Sequence, residues 1–153
     1  MWLAEDDCAK VPTDVEYPVT IDGLARMAYR VRPTEAVTRS IYDRLLPFTG
    51  FINWSGVGMS GPNDLGLAMA AATLGNHDDA DGWFASTLAL VERVEAHCWI
   101  ARAHFDWSRV LADRGDASGA REHAEIAVAL GEEIGMDGPF GVVPRGRAIL
   151  ESL

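Results

Sequence analysis

Basic charge is scarce in this chain: thirteen Lys and Arg stand against twenty-three Asp and Glu, for a formal net charge of −10 and a pI near 4.7. A surface of that sign repels phosphate, which argues against a nucleic-acid groove or an anionic membrane as partner. Lysine is nearly missing, with Lys10 alone beside twelve Arg; no function follows from that imbalance. Cysteine is as sparse. Cys8 and Cys98 lie far apart with no second Cys near either, so neither a metal-type Cys pair nor a disulfide framework is expected, and a reduced, cytoplasmic setting is the default expectation. No window reaches the ~18 uncharged apolar residues of a membrane span. Met1-Trp2-Leu3-Ala4 runs straight into Glu5, Asp6 and Asp7, without the basic start and apolar stretch of a secretory signal.

Catalytic signatures are missing as well. There is no GxSxG elbow and no HExxH, and the carboxylates fall on expected outer helix faces. The chain is expected not to be an enzyme, with no catalytic, cofactor-binding or metal-ligating residue assigned.

What the chain does contain is a phrase written twice, 40 residues apart. Leu74-Gly75 through Asp81, then Phe84 and Leu88 to Leu90, returns as Gly115 through Arg121, then Ala124 and Val128 to Leu130. In both copies Gly is followed five residues later by Ala80 or Ala120, nine later by Phe84 or Ala124, and fifteen later by Leu90 or Leu130. Those intervals are helical turns, so the unit is a helix, a Gly stop and a second helix. With 48% hydrophobic residues over 153 positions, one continuous core is affordable.

Residues 1–18, with Pro12 and Pro18, read as an irregular N-terminal segment, and residues 19–153 as a single helical-repeat domain. Ile21, Leu24, Ala25, Ala28 and Val31 make one helix face; Pro33-Thr34 restarts the chain, and Ala36, Val37, Ile41, Leu45 and Leu46 continue until Pro47, giving a first hairpin at about 20–47. Residues 48–62, rich in Gly, read as the one long loop, in which Phe51-Ile52-Asn53-Trp54 is the only strand-like run. Pro62 opens a second hairpin, about 62–94, with Gly75 as a left-handed cap and Asn76 as the N-cap of the partner helix. A third spans about 96–134, with Gly115 as stop and Asp116 as cap, and a terminal helix is expected at about 144–152.

The series Gly75, Ala80, Phe84, Thr87 and its second copy Gly115, Ala120, Ala124, Ala127 resembles the tetratricopeptide motif. The Trp-Leu-Gly-Tyr signature of that motif's first helix is absent, and Glu92 and Glu132 stand where its Pro is expected. Without the Pro the second helix is expected to run on, giving a period of 40 rather than 34. Ile41 to Phe48, Gly61-Pro62, Ala71 to Gly75, and Ala101-Arg102-Ala103 through Gly115-Asp116 look like the C-terminal helical-repeat region of bacterial ATPase-coupled transcriptional regulators and adenylate cyclase-like multidomain proteins. That likeness covers roughly residues 35–136. It implies an all-α, tetratricopeptide-like right-handed stack of about three hairpins plus a C-terminal helix, in the role of scaffold.

Three constellations invite sharper readings. Gly56-Val57-Gly58-Met59-Ser60-Gly61 matches GxGxxG and precedes a helix, but the βαβ context of a dinucleotide site is missing, so a loop is expected. His97, Cys98 and His104, with Glu95 nearby, suggest a metal, yet His97 and His104 are separated by roughly 10 Å of helix rise. Exposed or interfacial histidines and a buried Cys are expected instead, with His77 and His123 on helix surfaces. Arg102, Asp106, Arg109 and Asp113 form an alternating charged stripe below Trp99. It is either a solvated face or one wall of a partner groove.

The function expected is non-catalytic protein interaction, as a regulatory scaffold of a bacterial signalling or transcription regulator. The partner would be a protein or peptide, with an NTPase or cyclase module implied by the resemblance, gripped by Leu65, Met69, Trp99, Arg102, Asp106 and Arg109. No nucleic acid and no membrane are expected. A small effector held in the superhelix is the alternative. A homo-oligomer through an exposed end of the stack is a third arrangement: Trp2-Leu3-Ala4 reads like a helix interior deprived of its partner, and Trp2 and Trp54 are the tryptophans expected at the surface.

Overall fold

The computed structural model describes residues 11, 13, 14, 16–54 and 58–153. The calls on Trp2-Leu3-Ala4, on Cys8, and on Gly56 and Val57 of the glycine motif therefore fall outside the described residues. Seven helices dominate what is described: α1 (Tyr17–Val31), α2 (Glu35–Leu45), α3 (Asn63–Thr73), α4 (His77–Arg93), α5 (His97–Asp113), α6 (Ala117–Glu133) and α7 (Val142–Ser152). The chain divides into two compact units, 1–87 and 88–153, so that α4 runs through the point of division.

The stretch expected to be one loop is partly ordered. A 3₁₀ turn at Leu46–Phe48 continues α2, then β1 (Ile52–Trp54) and β2 (Met59–Pro62) pair antiparallel, with Asn53 opposite Gly61 and Trp54 opposite Met59. Gly61, at φ 103, takes a backbone conformation closed to most side chains. The polypeptide then enters α3 directly. The strand before the helix belongs to a hairpin, so the glycine motif lacks the crossover that a dinucleotide site needs.

In the first unit, consecutive helices pack antiparallel around Ile21, Ala25, Ala28, Val37, Ile41, Leu45, Leu67 and Ala70. Thr34 caps α2 by accepting from the Val37 N–H at 3.4 Å. Helix α3 is buried on every face from Asn63 to Ala72. Close approach is possible because position 66 is Gly: a Cβ there would run into the Asp22 carboxylate and lie 2.8 Å from Leu45 Cδ2. In the second unit α5, α6 and α7 enclose Phe105, Ala127 and Val142. Gly131 and Gly146 let α6 and α7 close up, since added Cβ atoms would sit 2.9 Å from Val143 Cγ2 and 2.7 Å from Val128 Cγ2.

Four helices end in the same way, twenty residues apart. Residues 75, 95, 115 and 135 all have positive φ, and the amide of the following residue donates to a carbonyl five back: Asn76 to Ala71, Ala96 to Val91, Asp116 to Leu111 and Met136 to Gly131, at 2.7–3.0 Å. This is the Schellman closure, which satisfies carbonyls left over at a helix end. Helices α4, α5 and α6 are each 17 residues long. The length expected of the second helices is therefore matched by α5, a first helix.

Three of the four left-handed positions are Gly; the fourth is Glu95, at φ 53. A side chain there costs about 1 kcal/mol relative to Gly. Glu95→Gly should raise the urea midpoint, with a gain of about 0.5–1 kcal/mol, whereas Gly115→Ala should lose about 1 kcal/mol. Equal responses of the two variants in equilibrium unfolding would contradict the shared geometry.

Candidate interaction surface

Helix α5 carries an unusual share of polar groups inward: His104, Asp106 and Ser108 are 8%, 1% and 0% exposed. Ser108 donates to the Phe105 carbonyl at 2.8 Å, within its own helix. Asp106 needs stronger partners, because a carboxylate removed from water is tolerated only when paired and hydrogen-bonded. Its two oxygens are divided between two guanidinium groups: Arg102 Nε donates to Oδ2 at 2.6 Å and Arg109 Nη1 to Oδ1 at 3.1 Å. The i,i+4 and i,i+3 spacings place the two arginines on the same helix face, one turn before and one turn after Asp106.

Beneath them lies the Phe105 ring, with the Arg102 and Arg109 guanidinium carbons 5.8 and 5.7 Å from its centroid. Arg145, from α7, approaches to 4.4 Å. Three guanidinium groups thus share one aromatic ring, and two of them one buried carboxylate, in a chain that is otherwise acidic. The arginine side chains keep 28% and 20% exposure at positions 102 and 109. They are ordered from below and keep part of their surface in solvent. Such an arrangement can accept a carboxylate without first having to immobilise two long side chains.

The residues singled out from sequence do not all share this face. Arg102, Asp106 and Arg109 come together as the spacing implies, and Trp99 is half-buried on the same helix. Leu65 and Met69 are 0% and 1% exposed inside α3, where they pack rather than face a partner. Phe105 and Arg145 were missed. Asp106 organises the arginines and has almost no surface of its own.

A second cluster lies between α5 and α6. His104 Nδ1 and His123 Nδ1 are 2.7 Å apart, and Trp107 stacks on His123 with centroids 4.2 Å apart. At that separation one ring donates and the other accepts, so the two rings cannot both be charged without repulsion. Burial, and the neighbouring His123, hold the His104 pKa down at about 4. Of the exposures expected from sequence, that of Cys98 is reversed, since it is exposed, while His104 is buried between two helices. His123 is half-buried, while His77 and His97 are exposed. Among the described residues no three potential metal ligands gather at one point, and no helix is long and apolar enough to cross a membrane.

In the first unit the corresponding buried charge is Asp22, 2% exposed, whose carboxylate meets Arg26 Nη2 at 2.7 Å. Burial raises its pKa to about 7, against the lowering effects of the Arg26 charge and hydrogen bonds from Arg26 and the Gly66 backbone. Arg26 also donates to the carbonyls of Ser60 and Pro62, both at 3.3 Å, and so fastens β2 to α1. No family model, curated protein or solved structure matches the chain.

The two shifted groups oppose one another in acid. Native His104 binds its proton less readily than the unfolded chain does, so its contribution to stability is complete above the ordinary histidine pKa of 6.5 and fades as pH falls toward 4. Native Asp22 binds its proton more readily, so stability rises through it as pH falls from about 7 toward 3.8. Each effect is at most a few kcal/mol, at about 1.4 kcal/mol per unit. Between pH 7 and pH 4.5 the two nearly cancel, so Asp22→Asn should make stability fall with acidification relative to the wild type, and His104→Gln should make it rise. Urea unfolding of both variants at the two pH values measures this directly.

Proposed function

We propose that the chain is a non-catalytic interaction module, the scaffold of a regulatory assembly, and that it grips a carboxylate-bearing segment of a partner protein along α5. The single observation that carries this reading is the pair of guanidinium groups on Arg102 and Arg109, fixed by one fully buried carboxylate and still partly exposed. Surface ion pairs between mobile side chains add little affinity, because ordering the chains offsets the attraction. A pre-ordered pair avoids much of that loss. By the resemblance noted above, the partner belongs to the NTPase or cyclase modules of bacterial regulators.

The test must spare the buried charge, since removing the arginines alone would strand Asp106. Arg102→Gln, Asp106→Asn and Arg109→Gln together retain hydrogen bonding and size while removing all three charges. A glutamate-rich peptide should bind the wild type in a salt-sensitive manner, and this triple variant at least about tenfold more weakly. Unchanged affinity in a variant of native circular dichroism would remove α5 from the binding surface.

A small effector is the second reading, favoured by a recess in the first unit. Tyr42, Trp83, Asp78, Asp79, Gly82 and Ser86 line it, and Trp83 Nε1 donates to the Tyr42 hydroxyl at 3.0 Å across its wall. Two aromatic rings and two carboxylates suit an organic cation. Spermidine should then raise the melting temperature of the wild type but not of Asp78→Asn with Asp79→Asn; a wild type indifferent to millimolar spermidine counts against this site.

A further inference from the structure

One ion pair ties the β hairpin to the first helix. Arg26 of α1 reaches two points far along the chain, donating from Nη2 to the Ser60 and Pro62 carbonyls of β2, both at 3.3 Å. The same guanidinium is paired with Asp22, one turn earlier: Nε donates to Oδ1 at 3.2 Å, and Nη2 meets Oδ2 at 2.7 Å. One nitrogen therefore serves the carboxylate and both carbonyls, so the charge on Asp22 sets where Arg26 points.

Asp22 holds Arg26 by charge only while it is ionised, and its surroundings oppose that form. It is buried against α3 at Gly66, where a Cβ would run into the carboxylate. Arg26 supplies the opposite charge, and the Gly66 backbone adds a hydrogen bond. Other charges nearby are turned to other partners. Asp64 of α3 is engaged by the Gly50 amide and the Ser86 hydroxyl. On α2, Arg39 pairs with Glu35, Arg44 donates to Ser40 and Tyr17, and Asp43 is exposed. On α1 itself Tyr29 lies under Arg32. The hairpin contributes neutral groups alone, since no titratable residue occurs between Arg44 and Asp64. Burial outweighs the help from Arg26 and raises the Asp22 pKa to about 7.

We infer that Asp22 and Arg26 form a proton-sensitive clasp, which holds β2 on α1 while Asp22 is ionised and releases it when Asp22 takes up a proton. The neutral acid stays in place, because burial no longer opposes it. Arg26, without its counter-charge, turns toward water and leaves the Ser60 and Pro62 carbonyls. The group binds its proton more readily in the native chain than in the unfolded one, so acid favours the fold at Asp22 even as the hairpin loosens. Local opening and global unfolding thus respond to this proton in opposite directions. The clasp lies wholly within the first unit and does not involve the α5 arginines.

Hydrogen exchange on the whole chain, followed by NMR from about pH 8 to about pH 5.5 and corrected for the intrinsic pH dependence of exchange, tests this. The Asn63 amide, which donates to the Phe51 carbonyl across the hairpin, should lose protection about tenfold as the Asp22 carboxyl titrates, since charge-assisted hydrogen bonds are roughly twice as strong as neutral ones. Amides inside α1 should keep theirs. In Asp22→Asn, which preserves size and removes the charge, Asn63 should stay at the low-pH level throughout. A wild type whose hairpin protection is constant over this range overturns the proposal, and needs no variant to do so. So does a fall that persists in folded Asp22→Asn, or one shared by the interior of α1.

Discussion

The left-handed residue that closes each long helix is the constraint on which the rest of this structure depends. Positions 75, 95, 115 and 135 turn the chain through the same hydrogen-bonded closure, and each next helix begins two residues later where one follows at once, at His77, His97 and Ala117. Equal spacing means that equivalent positions arrive at equivalent faces. Ala80 and Ala120, Phe84 and Ala124, and Thr87 and Ala127 are all 0% exposed. The burial pattern repeats after two closures rather than one, because alternate helices turn the same face inward. Where one copy has Ala127 the other has Thr87, whose hydroxyl finds no partner. A pattern tolerant enough to keep an unsatisfied hydroxyl is set by backbone closure first and by side-chain chemistry second.

That order of causes explains α5. Its length and entry are dictated by closures at both ends, so its inward positions are fixed whatever residues occupy them. Filling one with Asp106 then obliges the neighbouring turns to supply compensation, and Arg102 and Arg109 do so from the only spacings that reach. The buried carboxylate adds little or nothing to stability by itself. What it confers is position: two guanidinium groups that would otherwise sweep through solvent are held over Phe105. His104 and His123 follow the same logic across two helices joined by the closure at Gly115, one ring giving the hydrogen bond that the other needs.

Features generated within a few residues were legible in the sequence. Gly75 and Gly115 as stops, Asp116 as an N-cap, the approximate bounds of α3 to α6 and the exposed Trp54 all follow from local backbone preference or local composition. The terminal helix begins two residues before its expected start, and α1 three before, at Tyr17. Glu95 hid its closure because its residue type disguises a left-handed backbone, though the twenty-residue spacing would have exposed it. Strand β1 falls within the strand-like run at Phe51 to Trp54, whereas β2 was hidden by Gly61 and Pro62, which are poor strand formers. Leu65 and Met69 were misplaced for a reason visible afterwards: after Asp64 nothing charged interrupts α3, and a helix apolar on all sides has no groove face. Arg145 and His123 reach their clusters from other helices, and pairings of that kind depend on tertiary register that no local pattern encodes.

The hairpin shows how far local weakness can be offset by a few long-range bonds. Two strands of three and four residues do not hold together alone in water. Here Asn63 donates from its side-chain amide to the Phe48 carbonyl at 3.0 Å and accepts from Asn53, while Gly50 N–H is held by Asp64 Oδ1 at 2.8 Å. Arg26 binds the outer carbonyls of β2 and is itself oriented by Asp22, the buried carboxylate beside Gly66. Fixing the hairpin therefore draws on a buried charge and a close helix approach, both of which oppose stability when taken alone. What its own strand pairing cannot supply, one defined position against α1, comes from these bonds.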